Sequence, residues 1–324
     1  MPLHALHDMS SNSYTEAWLD GPQSTKFYTR TYHASPSESK AVLVFVHGFA
    51  EHIGRYTEAH PEYASHGINV FTFDQRGFGN TALDTKNKSK SSSYGKTSAE
   101  DQLEDIQWAL NHAKETFPGL PLFLGGHSMG GAETLSFSVH RDAVSILAGV
   151  VSCSPLIKQT KPASKIARGL GGLVAAPLPY MTIPTPIPFN DLSHDAEYNR
   201  MCSTDPLAKL QGTLRGVSDM FNWGDLLLSV NYKKWPKSLP VLFLHGTGDQ
   251  VTSHNATKEF HDKIVADDKK LIFYDDGFHE LIHEPNHRQK MLDDAIAWIH
   301  AHLPVKPVAP AASTEESTEP EAKL

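Results

Sequence analysis

A serine flanked by glycines is the strongest chemical signal in this sequence, in the run Gly126-His127-Ser128-Met129-Gly130. The apolar residues 121–125 precede this run, and the helix-compatible residues 131–140 follow it. Such a segment between a strand and a helix holds the serine on a sharp, strained turn, where its hydroxyl is exposed as a nucleophile. We therefore predict that Ser128 is a covalent nucleophile. The alternative is a glycine-rich turn with an incidental serine.

A serine hydroxyl needs a base to take its proton, and the base needs an anionic partner that fixes its tautomer. Asp249 and His279 follow Ser128 in the acid-then-histidine order that accompanies this turn, and each stands just after a strand-like run. We predict Asp249 as the acid and His279 as the base. Weaker alternatives are Asp275 and Asp276 for the acid, and His283 and His287, on or near the last helix, for the base.

The segment His47-Gly48-Phe49-Ala50 ends another strand-like run. In the strand-turn-helix arrangement predicted around Ser128, a loop at this place and the residue after the nucleophile supply N–H groups that stabilise the oxyanion of the transition state. We predict that the N–H groups of Phe49 and Met129 form this oxyanion hole.

The elements that must position these residues alternate along the chain. Apolar, β-type runs are predicted at residues 26–32, 41–47, 69–74, 120–125, 146–152, 239–245 and 271–274. Helices are predicted at residues 99–117, where Ser98 and Asp101 form a capping box, and at residues 287–302. This alternation predicts the α/β class, with a mostly parallel sheet covered by helices on both faces.

The segment 156–238 interrupts the alternation, because it is rich in Pro and Gly, has no strong strand and is far longer than an ordinary strand-helix connection. We predict that it is a cap, or lid, inserted over the edge that carries the active site. Residues 24–155 and 239–303 then form the core, and residues 1–23 form an N-terminal extension. Residues 304–324 are rich in Pro, Ala, Ser, Thr and Glu and are predicted to be a disordered tail.

Composition excludes several partners. The net charge of -8, without a block of Lys and Arg, argues against nucleic acid. Cys153 and Cys202 have no metal-like spacing, which favours a reducing compartment. We see no secretory signal and no apolar run long enough to cross a bilayer. His279, His283 and His287 lack the pattern of a metal site, so no metal or cofactor is predicted.

Three motifs give the chain a resemblance to the monoacylglycerol lipases and their lysophospholipase-like relatives, within the α/β-hydrolase superfamily, over most of residues 24–302. The run of residues 47–56, HGFAEHIGRY, is similar to the family's HGxGEHxGRY signature. Residues 74–79, DQRGFG, resemble the family's D-x-x-G-x-G turn, and residues 204–206, TDP, stand where the family tends to show S-D-P. The resemblance implies an α/β-hydrolase fold.

The resemblance also implies a substrate-binding role for Glu51 and Arg55, which match the Glu and Arg that help bind the glycerol head group in that family. An ion pair between Glu51 and Arg55 that only orders the loop is the alternative. Two departures stand out. Ala50 stands in place of the signature's second glycine, directly after the bulky Phe49, and a narrower acyl entrance is expected. Ile282 stands where the family has a second histidine, with His283 one place later.

These observations predict a cofactor-independent enzyme that hydrolyses monoacylglycerols to fatty acid and glycerol through an acyl-enzyme. A lysophospholipase, another carboxylesterase, an aminopeptidase-type relative and an acyltransferase remain alternatives, as does a non-catalytic binding module with the same fold. The apolar cap predicts an acyl channel and a peripheral contact with membranes or lipid droplets. A cytoplasmic location is expected. Ala322-Lys323-Leu324 resembles a peroxisomal address, which is the alternative.

Overall fold

The computed structural model describes residues 13–161 and 178–304. Several predictions concern residues outside these ranges: the apolar cap runs at 166–170 and 173–176, the tail from residue 305, the peroxisome-like ending Ala322-Lys323-Leu324, and the first 12 residues of the N-terminal extension. Within the described ranges, no helix is both long enough and apolar enough to cross a membrane.

The described residues contain one large sheet. Its strands are β1 (Thr15–Asp20), β2 (Lys26–Tyr32), β3 (Ala41–Val46), β4 (Ile68–Phe73), β5 (Leu122–His127), β6 (Leu147–Cys153), β9 (Val241–Gly246) and β10 (Lys269–Tyr274). They lie in the order β1-β2-β4-β3-β5-β6-β9-β10. The strands from β4 to β10 pair in parallel, whereas β1 and β2 form an antiparallel edge. The predicted α/β-hydrolase fold is confirmed.

Helices cover both faces of the sheet. The described helices of the core are α1 (His60–Ser65), α2 (Gly79–Leu83), α3 (Ala99–Thr116), α4 (Met129–His140), α7 (His254–Lys263) and α8 (Arg288–Ala301). α3, α4 and α7 pack their apolar faces on one side, and α1 and α8 pack on the other. β3 and β9 are buried along their whole length, as their continuous apolar runs predict, and so are β4 and β5. Ser98 caps α3 by accepting a hydrogen bond from the Asp101 N–H, as predicted.

The predicted N-terminal extension is wrong in one respect, because β1 pairs with β2 and belongs to the main sheet. The sequence signal of β1 is weak for a physical reason. A strand at the edge of a sheet packs against few neighbours, and every residue of β1 is exposed or half-buried. The apolar alternation that marks a strand is therefore missing.

The described part of segment 156–238, for which we keep the name cap, adds two short strands and two α-helices: β7 (Thr182–Pro184), β8 (Gln211–Thr213), α5 (Ala196–Thr204) and α6 (Leu214–Ser229). β7 and β8 form a short antiparallel pair, although no strong strand is expected there. Val217 and Met220 of α6 join an apolar cluster with Met129 and Ala132 of α4. These contacts place α6 against the helix that begins beside Ser128.

Candidate active site

Ser128 lies on a sharp turn between β5 and α4, with a positive φ of 55°. Non-glycine residues rarely adopt this conformation, and it is found mainly where the surrounding structure holds it in place. The flanking glycines are required by space. A Cβ on Gly130 would lie 2.2 Å from the Val46 carbonyl oxygen, and one on Gly126 would lie 2.5 Å from the Gly130 carbonyl oxygen. The sequence pattern therefore reflects close packing of three main-chain segments.

The structure brings Ser128, His279 and Asp249 together. The Oγ of Ser128 lies 3.0 Å from Nε2 of His279, and Nδ1 of His279 lies 2.9 Å from Oδ2 of Asp249. All three side chains are buried. Asp249 follows β9 and His279 follows β10, so the parallel sheet delivers both to the edge that carries Ser128. These contacts form a continuous relay from a carboxylate through an imidazole to a hydroxyl.

The Asp249 carboxylate is fixed by its own loop. Its Oδ1 accepts hydrogen bonds from the N–H groups of Val251 and Thr252 at 2.7 and 2.8 Å, and its Oδ2 accepts one from the Thr252 hydroxyl at 2.8 Å. Burial alone would raise the pKa of Asp249, but the adjacent His279 and His245 hold that pKa well below its usual value. Asp249 is therefore an anion whose orientation is set in advance.

The weaker alternatives do not reach Ser128. Asp275 and Asp276 are exposed. Nε2 of His283 contacts the Arg55 carbonyl oxygen at 3.0 Å, and Nε2 of His287 contacts the Asp275 carbonyl oxygen at 2.8 Å. His283 also stacks on Tyr198 of the cap. These contacts make His283 part of the contact between core and cap.

The two predicted oxyanion-hole residues lie next to Ser128 in two different segments. Phe49 is in the loop after β3, and Met129 is the first residue of α4. A Cβ placed on Gly48 would lie 3.0 Å from the Ser128 Cβ, so the loop of Phe49 packs against Ser128. Within the described ranges, neither the Phe49 N–H nor the Met129 N–H bonds to a main-chain carbonyl. Both donors are thus free of main-chain partners.

Glu51 and Arg55 face different partners. The Glu51 carboxylate is buried, and its Oε2 accepts hydrogen bonds from the Tyr56 hydroxyl at 2.6 Å and the Gly48 N–H at 3.3 Å. Arg55 points its guanidinium toward the cap, where Nη2 lies 3.5 Å from Oδ2 of Asp205. Among the described ion pairs, Arg55 pairs with Asp205 and not with Glu51. Oε2 of Glu51 therefore bonds within its own loop, whereas Arg55 meets the cap.

Arg55 also lines a cleft of about 800 Å³ between the loop after β3 and the cap. The walls of this cleft include polar groups of both signs: His52, Arg55, Tyr198, Asp205, His283 and Arg288. The Nε of Arg55 is buried and has no hydrogen-bond partner among the described residues.

A second group of side chains at the site went unnoticed in the sequence. Glu51, His127 and Glu280 are all buried, and their ligand-type atoms lie within 4.8 Å of one another. The sequence holds two clues, because His127 directly precedes Ser128 and Glu280 directly follows His279. No metal was predicted at these residues. His279, His283 and His287, which the sequence led us to consider, contact separate partners.

With this geometry established, comparison with known proteins identifies the family. The profile of the serine aminopeptidase S33 family matches residues 37–286. The chain belongs to this family. It is a serine ester hydrolase with the α/β-hydrolase fold. Fold and family thus agree with the resemblance found in the motifs.

Several relatives of this S33 member are named for one activity. A predicted monoglyceride lipase of Schizosaccharomyces pombe is 31% identical over 295 residues, which cover 90% of this chain and 75% of the relative. The monoglyceride lipase of Saccharomyces cerevisiae is 26% identical, over 82% of this chain and 86% of the relative. A crystal structure of a soluble variant of the latter enzyme with a substrate analogue shares the fold, with a TM-score of 0.78 and 23% identity over 94% of this chain and 99% of that one.

Proposed function

We propose that this S33 hydrolase is a monoacylglycerol lipase that works through an acyl-enzyme on Ser128. The observation that carries the proposal is the contact of 3.0 Å between the Ser128 hydroxyl and Nε2 of His279, with Asp249 behind the imidazole. Free Phe49 and Met129 N–H groups beside the serine support the same chemistry. The names of the relatives support a monoacylglycerol as the substrate.

In the first half of the proposed reaction, Nε2 of His279 takes the proton of Ser128 as Oγ attacks the ester carbonyl carbon. Negative charge moves to the carbonyl oxygen, where the N–H groups of Phe49 and Met129 donate to it. The bond from carbon to the glycerol oxygen then breaks, and His279 gives its proton to the departing glycerol. Asp249 stabilises the imidazolium throughout.

In the second half, a water molecule gives a proton to His279 and attacks the acyl carbon. The same N–H groups stabilise the second oxyanion. When the bond between Ser128 Oγ and the acyl carbon breaks, the protonated His279 returns the proton to Oγ. The fatty acid leaves and the resting enzyme is restored. No cofactor is needed for any of these steps.

Two features support a lipid monoester with a polar head. The acyl chain would pack on the apolar cluster that surrounds the oxyanion residues, which contains Phe49, Phe78, Met129, Leu156, Val217 and Met220. The glycerol would contact Arg55, which lines the cleft between the loop after β3 and the cap. Glu51, predicted with Arg55 as a head-group ligand, is proposed here to act through its loop, because Tyr56 and Gly48 already occupy Oε2.

We further propose that the cap meets a lipid surface. Leu178, Tyr180 and Met181 are 52%, 54% and 42% exposed at the cap, although each is large and apolar. Such residues gain free energy when they enter the boundary between head groups and acyl chains. Replacing all three with serine should weaken sedimentation of the protein with phosphatidylcholine vesicles. Unchanged sedimentation would contradict the contact.

A substrate panel with one acyl chain tests the proposed function. Monooleoylglycerol, oleoyl lysophosphatidylcholine and ethyl oleate differ only in the alcohol, and an aminoacyl p-nitroanilide reports the peptidase alternative. We expect the highest kcat/KM with monooleoylglycerol, with free oleate as the product. A higher kcat/KM for the lysophospholipid or the anilide would overturn the choice of substrate, and transfer of oleate mainly to added alcohol would indicate an acyltransferase.

A further inference from the structure

Three buried charged groups meet behind the nucleophile. Nε2 of His127 lies 3.4 Å from Oε1 of Glu280 and 3.7 Å from Oε1 of Glu51. The exposed fractions of Glu51, His127 and Glu280 are 4%, 3% and 1%. We call these three residues the buried charge cluster. The reaction proposed above uses none of them.

Each member of the buried charge cluster belongs to a different loop of the site. Glu51 lies two residues after Phe49, His127 immediately precedes Ser128, and Glu280 immediately follows His279. The cluster therefore joins the segments that carry the oxyanion donor, the nucleophile and the base. Each contact of the cluster adds a link between two of these segments, besides the contact between Ser128 and His279.

The neighbours of His127 favour its positively charged form. Burial alone would lower the pKa of His127, but Glu280, a hydrogen bond with Cys153, and Glu51 hold that pKa well above its usual value. Burial alone would raise the pKa of Glu280, yet His127 and His283 hold it well below. Among the described residues, Nε2 of His127 makes no hydrogen bond of good geometry, and its contacts of 3.4 and 3.7 Å with the two carboxylates are ion pairs.

The charge of His127 lies close to the proposed base. The ring centroids of His127 and His279 are 4.7 Å apart. At such a distance inside a protein, one unit charge shifts the protonation of its neighbour by roughly one pH unit or more. A positive His127 without its carboxylates would hinder a second proton on His279. The carboxylates without His127 would favour that proton.

Other titratable or charged groups face the cluster from each neighbouring element. They are His47, Arg55 and Tyr56 from the loop after β3, Cys153 from β6, His279 and His283 from the loop after β10, and Tyr198 and Cys202 from α5. Arg55 adds a positive charge near both carboxylates. Their common effect is a nearly balanced set of charges around His127.

We propose that His127, doubly protonated between Glu51 and Glu280, is a positioning residue that joins the three catalytic loops and balances the charge felt by His279. This inference rests on the proposed triad and deepens it. It predicts that the cluster sets the pH at which the base loses its proton. A purely structural cluster would alter stability without moving that pH in a direction set by charge.

The test is the pH profile of kcat/KM for p-nitrophenyl butyrate, a soluble ester that needs no head-group recognition. Glu280→Gln leaves the charge of His127 less compensated, which disfavours protonated His279, so the acidic limb should move to lower pH by roughly one unit. His127→Gln leaves two carboxylates near His279, so the limb should move to higher pH by a similar amount. Glu51→Gln should act in the direction of Glu280→Gln.

Two matched control variants remove buried polar groups without changing charge. Burial and Asp105 hold the pKa of Glu133 well above its usual value, so Glu133→Gln replaces a neutral acid. Burial lowers the pKa of His60 to about 3, so His60→Gln replaces a neutral imidazole. Neither substitution should move the acidic limb. Melting temperatures measured in parallel record any loss of stability.

The double variant His127→Gln/Glu280→Gln removes one charge of each sign and should bring the limb back toward that of the wild type. If the acidic limb moved in the same direction for His127→Gln and Glu280→Gln, or moved for neither, the inference would be overturned. Activity that is lost on treatment with EDTA and restored by Zn²⁺ would also overturn it, because a metal would then join the loops. A wild type that fails to react with a fluorophosphonate at Ser128 would instead contradict the proposed function.

Discussion

The Oγ of Ser128 and Nε2 of His279 lie 3.0 Å apart although the two residues are separated by 151 positions in the chain. The parallel sheet accounts for the encounter. β5 ends at His127 and β10 ends at Tyr274, and parallel strands present their carboxyl ends at one edge. A hydroxyl, an imidazole and a carboxylate therefore meet above the same edge, where α6 of the cap lies against α4.

The proposed role of Asp249 predicts a large effect of a small change. Asp249→Asn keeps the shape of the side chain but removes the charge that fixes the tautomer of His279. We expect kcat for p-nitrophenyl butyrate to fall about ten-thousand-fold, as in other enzymes with this relay. The control is Asp275→Asn, since Asp275 is exposed on the neighbouring loop. An equal loss in both variants would reject Asp249 as the acid.

The sequence was informative where chemistry and local geometry coincide. Ser128 could be predicted because a Gly-x-Ser-x-Gly turn leaves no space for side chains at Gly126 and Gly130. Asp249 and His279 could be predicted from the order of the chain and from the strands that precede them. The helix α3 could be predicted because local signals mark both of its ends: Ser98 is its N-cap residue, and Pro118-Gly119 follows its last turn.

Contacts between distant segments were not predictable in the same way. Arg55 pairs with Asp205, which lies in the cap. From the sequence, an ion pair between Arg55 and Glu51, four residues earlier, was equally compatible with the spacing. His127 meets Glu51 and Glu280 only because three loops converge, and no local pattern encodes that convergence. β1 was missed because an edge strand needs no buried face.

Arg55 should matter for the alcohol part of the substrate. Arg55→Met keeps much of the apolar stem and removes the donors of the guanidinium. Because a hydrogen bond from a charged group contributes roughly 1.5–3 kcal/mol, we expect kcat/KM for monooleoylglycerol to fall about tenfold to a hundredfold. The kcat/KM for ethyl oleate should stay within about twofold, since that ester lacks the glycerol hydroxyls. Equal losses with both esters would assign Arg55 to the structure of the loop.

The apolar cluster around Phe49 should select the acyl chain. Val217 of α6 is 9% exposed and lies in this cluster, so Val217→Phe fills space that a long chain would need. We expect kcat/KM for monooleoylglycerol to fall about tenfold, from a crowding cost of about 1.4 kcal/mol, while p-nitrophenyl acetate is hydrolysed as before.

The control for Val217→Phe is Leu226→Phe on the same helix, where the side chain is 41% exposed. This variant adds similar bulk at the surface and should leave both rates unchanged. If Val217→Phe slowed the acetate ester as much as monooleoylglycerol, the substitution would have disturbed the catalytic groups. The cluster would then have no demonstrated role in binding the acyl chain.

The rate of glycerol release from monooleoylglycerol by the wild type and by Ser128→Ala tests the central claim most directly. The account predicts steady release by the wild type and a fall of roughly a million-fold in the variant, because the alanine cannot form the acyl-enzyme. The melting temperature of the variant should remain close to that of the wild type. Release of glycerol by Ser128→Ala at a comparable rate, or no release by the wild type, would contradict the account.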